Sequence, residues 1–420
     1  MILKRSLLAG LALLLAVSAQ AGIQQAGAQE TVKIGAIYPL TGGTASAGTA
    51  LRDAVEIAAE IVNNPHPELS ALPLAATSGL PGLGGRKIEP VFADHQGNPA
   101  VAQNQALRLI TQEKVVALVG AYQSSATLTA SAVAERYGIP YLAGEASAPS
   151  LTTRGFKWFF RPTPIGTDFG AAYADFLTGL KTKGRAVNAI AMVNENTEYG
   201  TSTGDAISKA LDAKGMKIAL RIAYSANSTD VSAQVLQMKQ ANPDVAIFVS
   251  YTSDSILFMK TMRNLDWKPP VLIGDDSGFS DTAFIAAVGD LAEGAVNRSS
   301  YDIGKPGTVP FLVNELYKKK AGHDLDDTSA RGMQGFLVLC EAINRAGSTE
   351  PAKVQAALRA TDLAANQLMI GYDGVKFDAN GQNERAATLL VQLRNRAYVP
   401  IWPDRLATAQ PALPFQGWGN

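Results

Sequence analysis

The sequence predicts an α/β protein in which parallel sheets carry helices on both faces. Short apolar, β-branched segments alternate with amphipathic helical segments along most of the chain, which is typical of parallel sheets. About 390 residues remain after a predicted signal segment, too many for one typical core, so two lobes are expected. The predicted strands cover residues 31–38, 87–94, 115–122, 140–146, 186–194, 217–224, 244–251 and 271–276.

Helical patterns separate these strands. After about residue 294 the alternation of strands and helices stops, and two or three helices are followed by a late β region. A Gly/Pro-rich stretch, 64–85, is interpreted as a surface insertion between a helix and a strand. The proline-containing tail, 400–420, is expected to wrap the surface. The predicted helices are 48–62, one that opens at Asn98-Pro99, 128–136, 200–214, 230–240, 253–265, 309–320, 330–345 and 351–360, before a late β region at 369–399.

Residues 1–28 have the pattern of a secretory signal peptide. Lys4 and Arg5 precede a short apolar stretch, 7–17, and small-residue cleavage sites occur at 19–21 and 26–28. The apolar stretch is too short for a membrane span, and no later segment reaches 18 unbroken apolar residues. No cysteine adjoins the cleavage region, so a lipid anchor is not indicated. We therefore expect a soluble protein exported to the periplasm.

Composition argues against several classes of function. Loss of the two bases in the signal segment changes the formal charge from 0 to −2, so no basic field for nucleic acid exists. The single cysteine, Cys340, excludes an internal disulfide and is expected to be buried in a helix. We expect no metal and no cofactor, because no Walker A sequence is present and metal-ligand spacing is lacking among the histidines, His66, His95 and His323.

The most informative loop is 120–127, Gly-Ala-Tyr-Gln-Ser-Ser-Ala-Thr, between a predicted strand and a predicted helix. It places Ser124, Ser125 and Thr127 at a helix N-terminus, which is a ready anion site. Alone, the loop would favour a simple serine N-cap. A second hydroxyl-bearing turn, 144–149, follows the next strand. Small polar residues at successive strand ends indicate the rim of an open sheet, where ligands bind.

Three other positions have competing interpretations. Tyr199 either packs on the adjacent helix or closes over a ligand. Asp275 and Asp276 follow a strand; a helix N-cap plus one solvated acid is the commoner interpretation, and a metal or acid/base pair the other. Arg331, near a helix start, is expected to be solvated, with a ligand-facing role as the alternative.

One enzyme motif matches: 200–204, Gly-Thr-Ser-Thr-Gly, fits the G-x-S-x-G pattern of hydrolases. A nucleophile elbow places its serine directly after a strand, with an acid and then a histidine later in the chain. Here five polar residues separate the strand from the motif, and His323 would serve alone. Capping of the following helix explains the motif better, and no catalytic residue is expected.

Together these features resemble the periplasmic leucine/isoleucine/valine-binding proteins of ABC importers, which have the type I periplasmic-binding fold. The resemblance covers nearly the whole mature chain except 64–85 and the tail. It implies two Rossmann-like lobes with parallel sheets, joined by a three-strand hinge with crossings near Thr163, Gly294 and Arg385. The stretches that carry it are 34–42, 120–127, 146–155 with 159–161, 199–200 and 273–276.

The resemblance also implies the domain organisation and the function. Lobe 1 would comprise 29–163 and 295–385, and lobe 2 would comprise 164–294 and 386–420, with 64–85 inserted in lobe 1. A monomeric receptor would capture a small amino acid of branched-chain type by hinge closure and deliver it to the membrane permease of an ABC importer. Because related receptors bind aromatic carboxylates, amides and urea, a receptor for such a ligand, or a periplasmic sensor, is the alternative.

The site implied by the resemblance begins with a carboxylate pocket. Ser124, with neighbouring backbone N–H groups such as that of Ser125, would hold the ligand α-carboxylate, helped by the Ser147 hydroxyl. The Glu145 carbonyl and Ser147 would accept hydrogen bonds from the ammonium group.

The rest of the implied site departs from the family pattern at two positions. Asp276 stands where the family uses a glutamate to neutralise the ammonium, and it is shorter by about 1.5 Å, so a water or a shifted ligand is expected. Tyr199 and Tyr251 would approach from the second lobe. Ala47 replaces a residue that is often aromatic and enlarges the side-chain pocket, where Arg331 could add a cation.

Overall fold

Two large sheets organise the computed structural model, which describes residues 30–418. The predicted signal peptide lies outside the described residues. The strands are β1 (Val32–Tyr38), β2 (Ile88–Asp94), β3 (Ala117–Gly120), β4 (Tyr141–Leu142), β5 (Phe159–Phe160), β6 (Ile190–Glu195), β7 (Ile218–Tyr224), β8 (Val245–Val249), β9 (Val271–Asp275), β10 (Val296–Ser299), β11 (Asp362–Ala364), β12 (Gly374–Lys376), β13 (Leu389–Arg394) and β14 (Ala397–Trp402).

Helices cover both faces of the sheets. Within the described range, no helix combines the length and apolar character needed to cross a bilayer. The α-helices are α1 (Ala45–Asn63), α2 (Pro99–Thr111), α3 (Ser124–Tyr137), α4 (Gly166–Thr182), α5 (Glu198–Ala213), α6 (Ser232–Ala241), α7 (Thr252–Asn264), α8 (Ser277–Ser280), α9 (Thr282–Val288), α10 (Val309–Ala321), α11 (Asp327–Ala346) and α12 (Pro351–Arg359).

The first sheet has the strand order β2-β1-β3-β4-β5, and every pairing in it is parallel. The second has the order β14-β13-β10-β9-β8-β6-β7. Its strands β6 to β10 pair in parallel, whereas the β13–β14 hairpin joins β10 in the antiparallel sense. The predicted α/β fold with two parallel sheets is confirmed, with this hairpin as an antiparallel edge.

Local sequence signals explain several helix ends. The Asn98 side chain accepts hydrogen bonds from the N–H groups of Ala100 and Val101, and Pro99 occupies the first turn of α2. Helix α3 ends at Gly138, whose φ of +64° is the left-handed conformation that glycine adopts without a Cβ penalty. Cys340 lies buried inside α11, as predicted.

Helix α4 was missing from the prediction. Gly166, Gly170 and Gly179 interrupt its apolar pattern, and glycine inside a helix weakens a sequence-based assignment. Two of these glycines lie against α5, because a Cβ at Gly166 would meet Thr203 at 3.0 Å and one at Gly170 would meet Ile207 at 3.0 Å. Close packing on α5 therefore stabilises a helix that its local sequence specifies poorly.

Three neighbouring segments connect the lobes. The Arg161 N–H donates to the Gly381 carbonyl (2.8 Å), and Asn383 donates from its side chain to the Pro162 carbonyl (3.0 Å). The third segment follows β10, where the Ser300 hydroxyl donates to the carbonyl of Ala387 (2.8 Å). Because β10 pairs within the second sheet, this crossing comes after Ser299 rather than near residue 294. The remaining lobe boundaries stay predictions.

The predicted insertion and the tail both contribute to packing. Leu69, Leu72 and Leu80 of the 64–85 stretch are buried in the same hydrophobic cluster as the first sheet. In the tail, Phe415 and Trp418 are buried in the cluster that covers one face of the second sheet. Neither segment is merely a surface loop.

The tail packing predicts a large loss of stability for Phe415→Ala. Removing a buried phenylalanine side chain typically costs about 3–5 kcal/mol, and Phe415 is only 2% exposed. Urea denaturation should show this decrease in the free energy of unfolding. Leu406→Ala is the matched control, because Leu406 in the same tail is 40% exposed. Equal effects of the two changes would contradict the packing role.

Candidate functional site

The predicted ligand-binding residues gather at the carboxyl ends of the strands, where ligands bind to open parallel sheets. All of them except Ser125, which is half-buried, are buried. From the first lobe come Ala47 in α1, Ser124 and Ser125 at the start of α3, Glu145 and Ser147 after β4, and Arg331 in α11; from the second come Tyr199 in α5, Tyr251 before α7 and Asp276 after β9.

The start of α3 has the properties of an anion site. The helix begins without a side-chain cap, and its first turn contains no acidic residue. The Ser124 Oγ accepts a hydrogen bond from the N–H of Ala148 (3.3 Å), which joins the two hydroxyl-bearing loops. The simple N-cap interpretation of Ser124 is therefore wrong, because its side chain faces the neighbouring loop.

Three aromatic rings span the two lobes. The Tyr122 and Tyr251 ring centres are 5.7 Å apart, and those of Tyr251 and Tyr199 are 5.2 Å apart. Tyr122, which the sequence analysis did not select, has a φ of +68°, an uncommon conformation for an aromatic residue. The Tyr122 and Tyr251 hydroxyl groups are buried and have no hydrogen-bond partner among the described residues.

Asp275 is fixed by two tyrosines of the second lobe. Its Oδ1 accepts from the Tyr173 hydroxyl (2.6 Å), and its Oδ2 accepts from the Tyr199 hydroxyl (2.8 Å). Burial and the neighbouring Asp276 charge raise the pKa of Asp275 to about 6. Since both carboxylates are buried, the interpretation of 275–276 as a helix cap plus a solvated acid is wrong. Tyr199 packs inside and bonds to Asp275.

Asp276 is the centre of a buried ion cluster formed by Asp276, Arg298, Asp327 and Arg331. Its Oδ1 contacts the guanidinium groups of both arginines, with Arg331 Nη2 at 2.6 Å. Its Oδ2 is buried without a hydrogen-bond partner in the described part of the chain. The backbone of Asp276 has a φ of +52°, a strained conformation of the kind that concentrates at functional sites.

Arg331 is fully engaged rather than solvated, so the default interpretation is wrong. It donates to Asp327 Oδ2 (2.9 Å), to Thr163 Oγ1 (3.0 Å) and to the Glu145 carbonyl (2.8 Å). Burial alone would lower the pKa of Arg331, but the charges of Asp276 and Asp327 outweigh it and raise the pKa. The Glu145 carbonyl and Asp276, two of the three groups predicted to bind the ammonium, thus already contact this guanidinium.

The other two members of the ion cluster were missed by the sequence analysis. Arg298 contacts Asp327 at 2.9 Å and stacks over the Phe169 ring at 4.2 Å. Burial would raise the pKa of Asp327, but Arg298 and Arg331 hold it below its usual value. The i,i+4 spacing of Asp327 and Arg331 in one helix was a usable signal. Nothing local marked Arg298, because its partners come from distant segments.

A cavity of about 630 Å³ lies beside the ion cluster. Arg298 and Asp327 line it, whereas none of the nine predicted ligand-binding residues does. Its walls come from the α10–α11 loop, including His323, and from the β13–β14 hairpin, including Tyr398. The cavity therefore borders the ion cluster without including the predicted ligand-binding residues.

The hydrolase motif lacks the geometry of a nucleophile elbow. Ser202 lies within α5, beyond its first turn, rather than in a turn that directly follows a strand. His323 bonds to the Asp324 carbonyl (3.0 Å) and packs against Tyr317. No contact between Ser202 and His323 occurs among the described residues.

Two α/β lobes with three connecting segments, and polar groups where the sheet edges face each other, define a bilobal solute-binding protein. The sequence profile of the periplasmic binding protein family matches residues 31–396. The chain belongs to the periplasmic binding protein family.

Individual relatives agree with this assignment. The Leu/Ile/Val-binding protein homolog 7 of Brucella abortus (strain 2308) is 32% identical over 417 residues, covering 94% of this chain and 96% of the relative. A leucine-binding protein from Thermotoga maritima superposes with a TM-score of 0.75 at 24% identity, covering 90% of this chain and 100% of that one. A solute-binding protein of an ABC transporter from Rhodopseudomonas palustris BisB5, in complex with 3,4-dihydroxybenzoic acid, superposes with a TM-score of 0.72 at 21% identity, covering 86% and 93%.

The ion cluster predicts strong destabilisation by Asp327→Ala. Breaking a buried ion pair from one side typically costs about 3–5 kcal/mol, because the remaining charges stay buried without their partner. Chemical denaturation should show this loss. Asp362→Ala provides the control, since its pair with Arg385 is largely exposed and such pairs contribute at most about 1 kcal/mol. A loss below that value for Asp327→Ala would show that the cluster does not stabilise the fold.

Proposed function

We propose that the protein is an exported receptor of an ABC importer, and that it captures a small α-amino acid of branched-chain type between its lobes. The Brucella relative, named as a Leu/Ile/Val-binding protein homolog, supports this ligand class. The predicted signal peptide supports delivery to the periplasm, where a membrane permease would accept the ligand.

One observation carries the proposal: Asp276 Oδ2 is a buried carboxylate oxygen that has no hydrogen-bond partner within residues 30–418, and on the opposite lobe no side chain caps the start of α3. A buried carboxylate oxygen favours a cationic partner, and a helix N-terminus favours an anion. A zwitterionic α-amino acid carries both groups on one carbon. Small and aromatic neighbours, Ala47 and Tyr251 among them, would suit an aliphatic side chain.

Hinge closure is supported by hydrogen bonds across the lobes. The Ser46 hydroxyl near the start of α1 donates to Asp281 Oδ2 beside α9 (2.5 Å), and the Ser150 hydroxyl donates to Glu198 in α5. Rigid lobes that close in this way exclude water from the ligand. Hydrogen bonds to its charges then contribute more than they would on an open surface.

A second candidate ligand is a small carboxylate that lacks an ammonium group, and Arg331 is the observation that favours it. Its guanidinium already contacts the Glu145 carbonyl and Asp276, so the protein supplies a cation of its own. The Rhodopseudomonas protein bound to 3,4-dihydroxybenzoic acid shows that the fold accommodates such a ligand.

Carboxylate capture by α3 predicts weaker binding after Ser124→Ala. A hydrogen bond to a charged group contributes about 1.5–3 kcal/mol, so the affinity for L-leucine should fall between about tenfold and 150-fold. Calorimetric titration measures the change. Ser208→Ala is the control, because that hydroxyl donates to the Gly204 carbonyl of its own helix, far along the chain from the predicted site residues of α3. Unchanged affinity in Ser124→Ala would place the carboxylate elsewhere.

Asp276→Asn distinguishes the two candidate ligand classes. The change keeps the shape of the side chain but removes the charge opposite the ammonium, and truncating a buried charge pair costs about 2–5 kcal/mol. L-leucine should bind about 30-fold more weakly or worse. Its analogue 4-methylpentanoate, which lacks only the ammonium group, should bind equally or more tightly because a negative charge is gone.

The outcome is read from both probes on both proteins. Tighter binding of 4-methylpentanoate than of L-leucine to the unchanged protein would favour the carboxylate receptor. Equal L-leucine affinity in the two proteins would exclude Asp276 as the ammonium partner.

A further inference from the structure

Glu145 is a buried acidic residue whose side chain has no assigned function in the cleft. Only its backbone carbonyl was expected to contact a ligand, and that carbonyl accepts a hydrogen bond from Arg331 (2.8 Å). The side chain is 3% exposed and sits after β4, at the same sheet edge as Ser147.

The surroundings of the Glu145 carboxyl group fix one oxygen and leave the other free. Oε1 accepts from the Tyr38 hydroxyl at the end of β1 (3.1 Å). Helix α11 approaches closely, because a Cβ at Gly332 would lie 2.6 Å from Oε1. The Tyr122 N–H lies near the carboxyl group, but it forms no hydrogen bond with Oε2, which is buried and has no hydrogen-bond partner within residues 30–418. A buried polar atom without a partner costs free energy that a bound donor would recover.

The charge of this carboxyl group is poised near neutral pH. Burial raises the pKa of Glu145 to about 7, against the lowering effects of Arg331, the Tyr38 hydroxyl and the Tyr122 N–H. Tyr141 on β4 is the other titratable group that interacts with it, and it stays neutral in this range because burial raises its pKa. A charged group that binds nearby can therefore change whether the Glu145 carboxyl group is protonated near neutral pH.

We propose that the Glu145 carboxyl group, rather than its carbonyl, receives the ligand ammonium together with Asp276, and that it releases its proton to solvent as the amino acid binds. This inference rests on the proposed function and deepens it. The Glu145 carbonyl already accepts a hydrogen bond from Arg331. Oε2 is therefore the Glu145 acceptor that remains for the ammonium group. The ammonium stays intact, and the proton leaves from the carboxyl group.

Binding of an ammonium group and ionisation of the Glu145 carboxyl group favour each other. A nearby cation stabilises the ionised carboxylate, so the pKa of Glu145 falls when an amino acid binds. Below pH 7 the free protein holds a proton that the complex does not, and affinity therefore decreases as the pH falls, by about tenfold per pH unit until the pKa of the complex is reached. A ligand without an ammonium group gains nothing from ionisation and is repelled by it.

The experiment is calorimetric titration of the full mature protein with L-leucine and with 4-methylpentanoate at pH 7.5 and pH 5.5. Buffers of different ionisation enthalpy report the protons released. We expect L-leucine to bind at least tenfold more weakly at pH 5.5, with proton release near pH 7, and 4-methylpentanoate to show no such loss.

Three variants test the residue. Glu145→Gln should weaken L-leucine binding at pH 7.5 and remove the part of the pH dependence and of the proton release that is centred near pH 7, leaving only the part near pH 6 that Asp275 contributes. Tyr38→Phe removes a hydrogen bond that stabilises the ionised form, so the midpoint of the pH profile should move to higher pH. Tyr141→Phe is the matched control, since no hydrogen bond joins that hydroxyl to Glu145, and the midpoint should stay in place. Thermal unfolding of each variant verifies its fold.

The outcomes separate the inference from the proposed function. If L-leucine binds with the same affinity at both pH values, or if Glu145→Gln retains the proton release near pH 7, the inference is overturned while the amino-acid receptor stands. If the unchanged protein binds only 4-methylpentanoate, or neither probe, both the branched-chain function and the inference are overturned.

Discussion

The ion cluster of Asp276, Arg298, Asp327 and Arg331 joins the second lobe to α11 and to two of the connecting segments. Asp276 and Arg298 belong to the second lobe, whereas Asp327 and Arg331 belong to α11. Arg331 also bonds to Thr163 on one connecting segment, and Asp327 Oδ1 accepts from the Ser300 N–H on another (2.6 Å). Buried charges are costly to desolvate, and a hydrophobic replacement is often at least as stable. The cluster therefore fixes how the lobes meet at the hinge rather than adding stability alone.

This arrangement also determines what charge a ligand can bring. Two aspartates and two arginines leave the ion cluster without net charge, so the cleft does not act as a general anion or cation trap. The groups that remain for a ligand are the start of α3 and two buried oxygens, Asp276 Oδ2 and Glu145 Oε2, which have no hydrogen-bond partner in the part of the chain that the structure describes. A ligand must match these positions, because an unpaired buried charge costs several kcal/mol. Selectivity then follows from geometry rather than from overall charge.

The sequence predicts what local patterns encode and misses what tertiary contacts create. Alternating segments, the Asn98 cap and the loop at Ser124 predicted the sheets, a helix start and the cleft. Helix α4 escaped because its glycines are explained only by close packing on α5. Arg331 was expected in solvent, since a single arginine near a helix start carries no sign of partners that lie 55, 168 and 186 residues away along the chain. Long-range pairing of charges is the step that sequence pattern alone does not encode.

Arg331 explains how one fold can serve both amino acids and simple carboxylates. With either ligand, a cation must lie next to Asp276 and Glu145. An amino acid supplies that cation itself, whereas with a simple carboxylate the protein must supply it. Here Arg331 bonds to Asp276 Oδ1 and the Glu145 carbonyl, yet the Asp276 and Glu145 carboxyl groups each keep one buried oxygen without a hydrogen-bond partner among residues 30–418. A ligand that is only an anion leaves both oxygens unsatisfied, whereas an ammonium group satisfies them. Arg331 thus holds the two acidic residues in place but does not pair with all of their carboxylate oxygens. The unpaired oxygens favour a zwitterionic ligand, whose ammonium group can bind them.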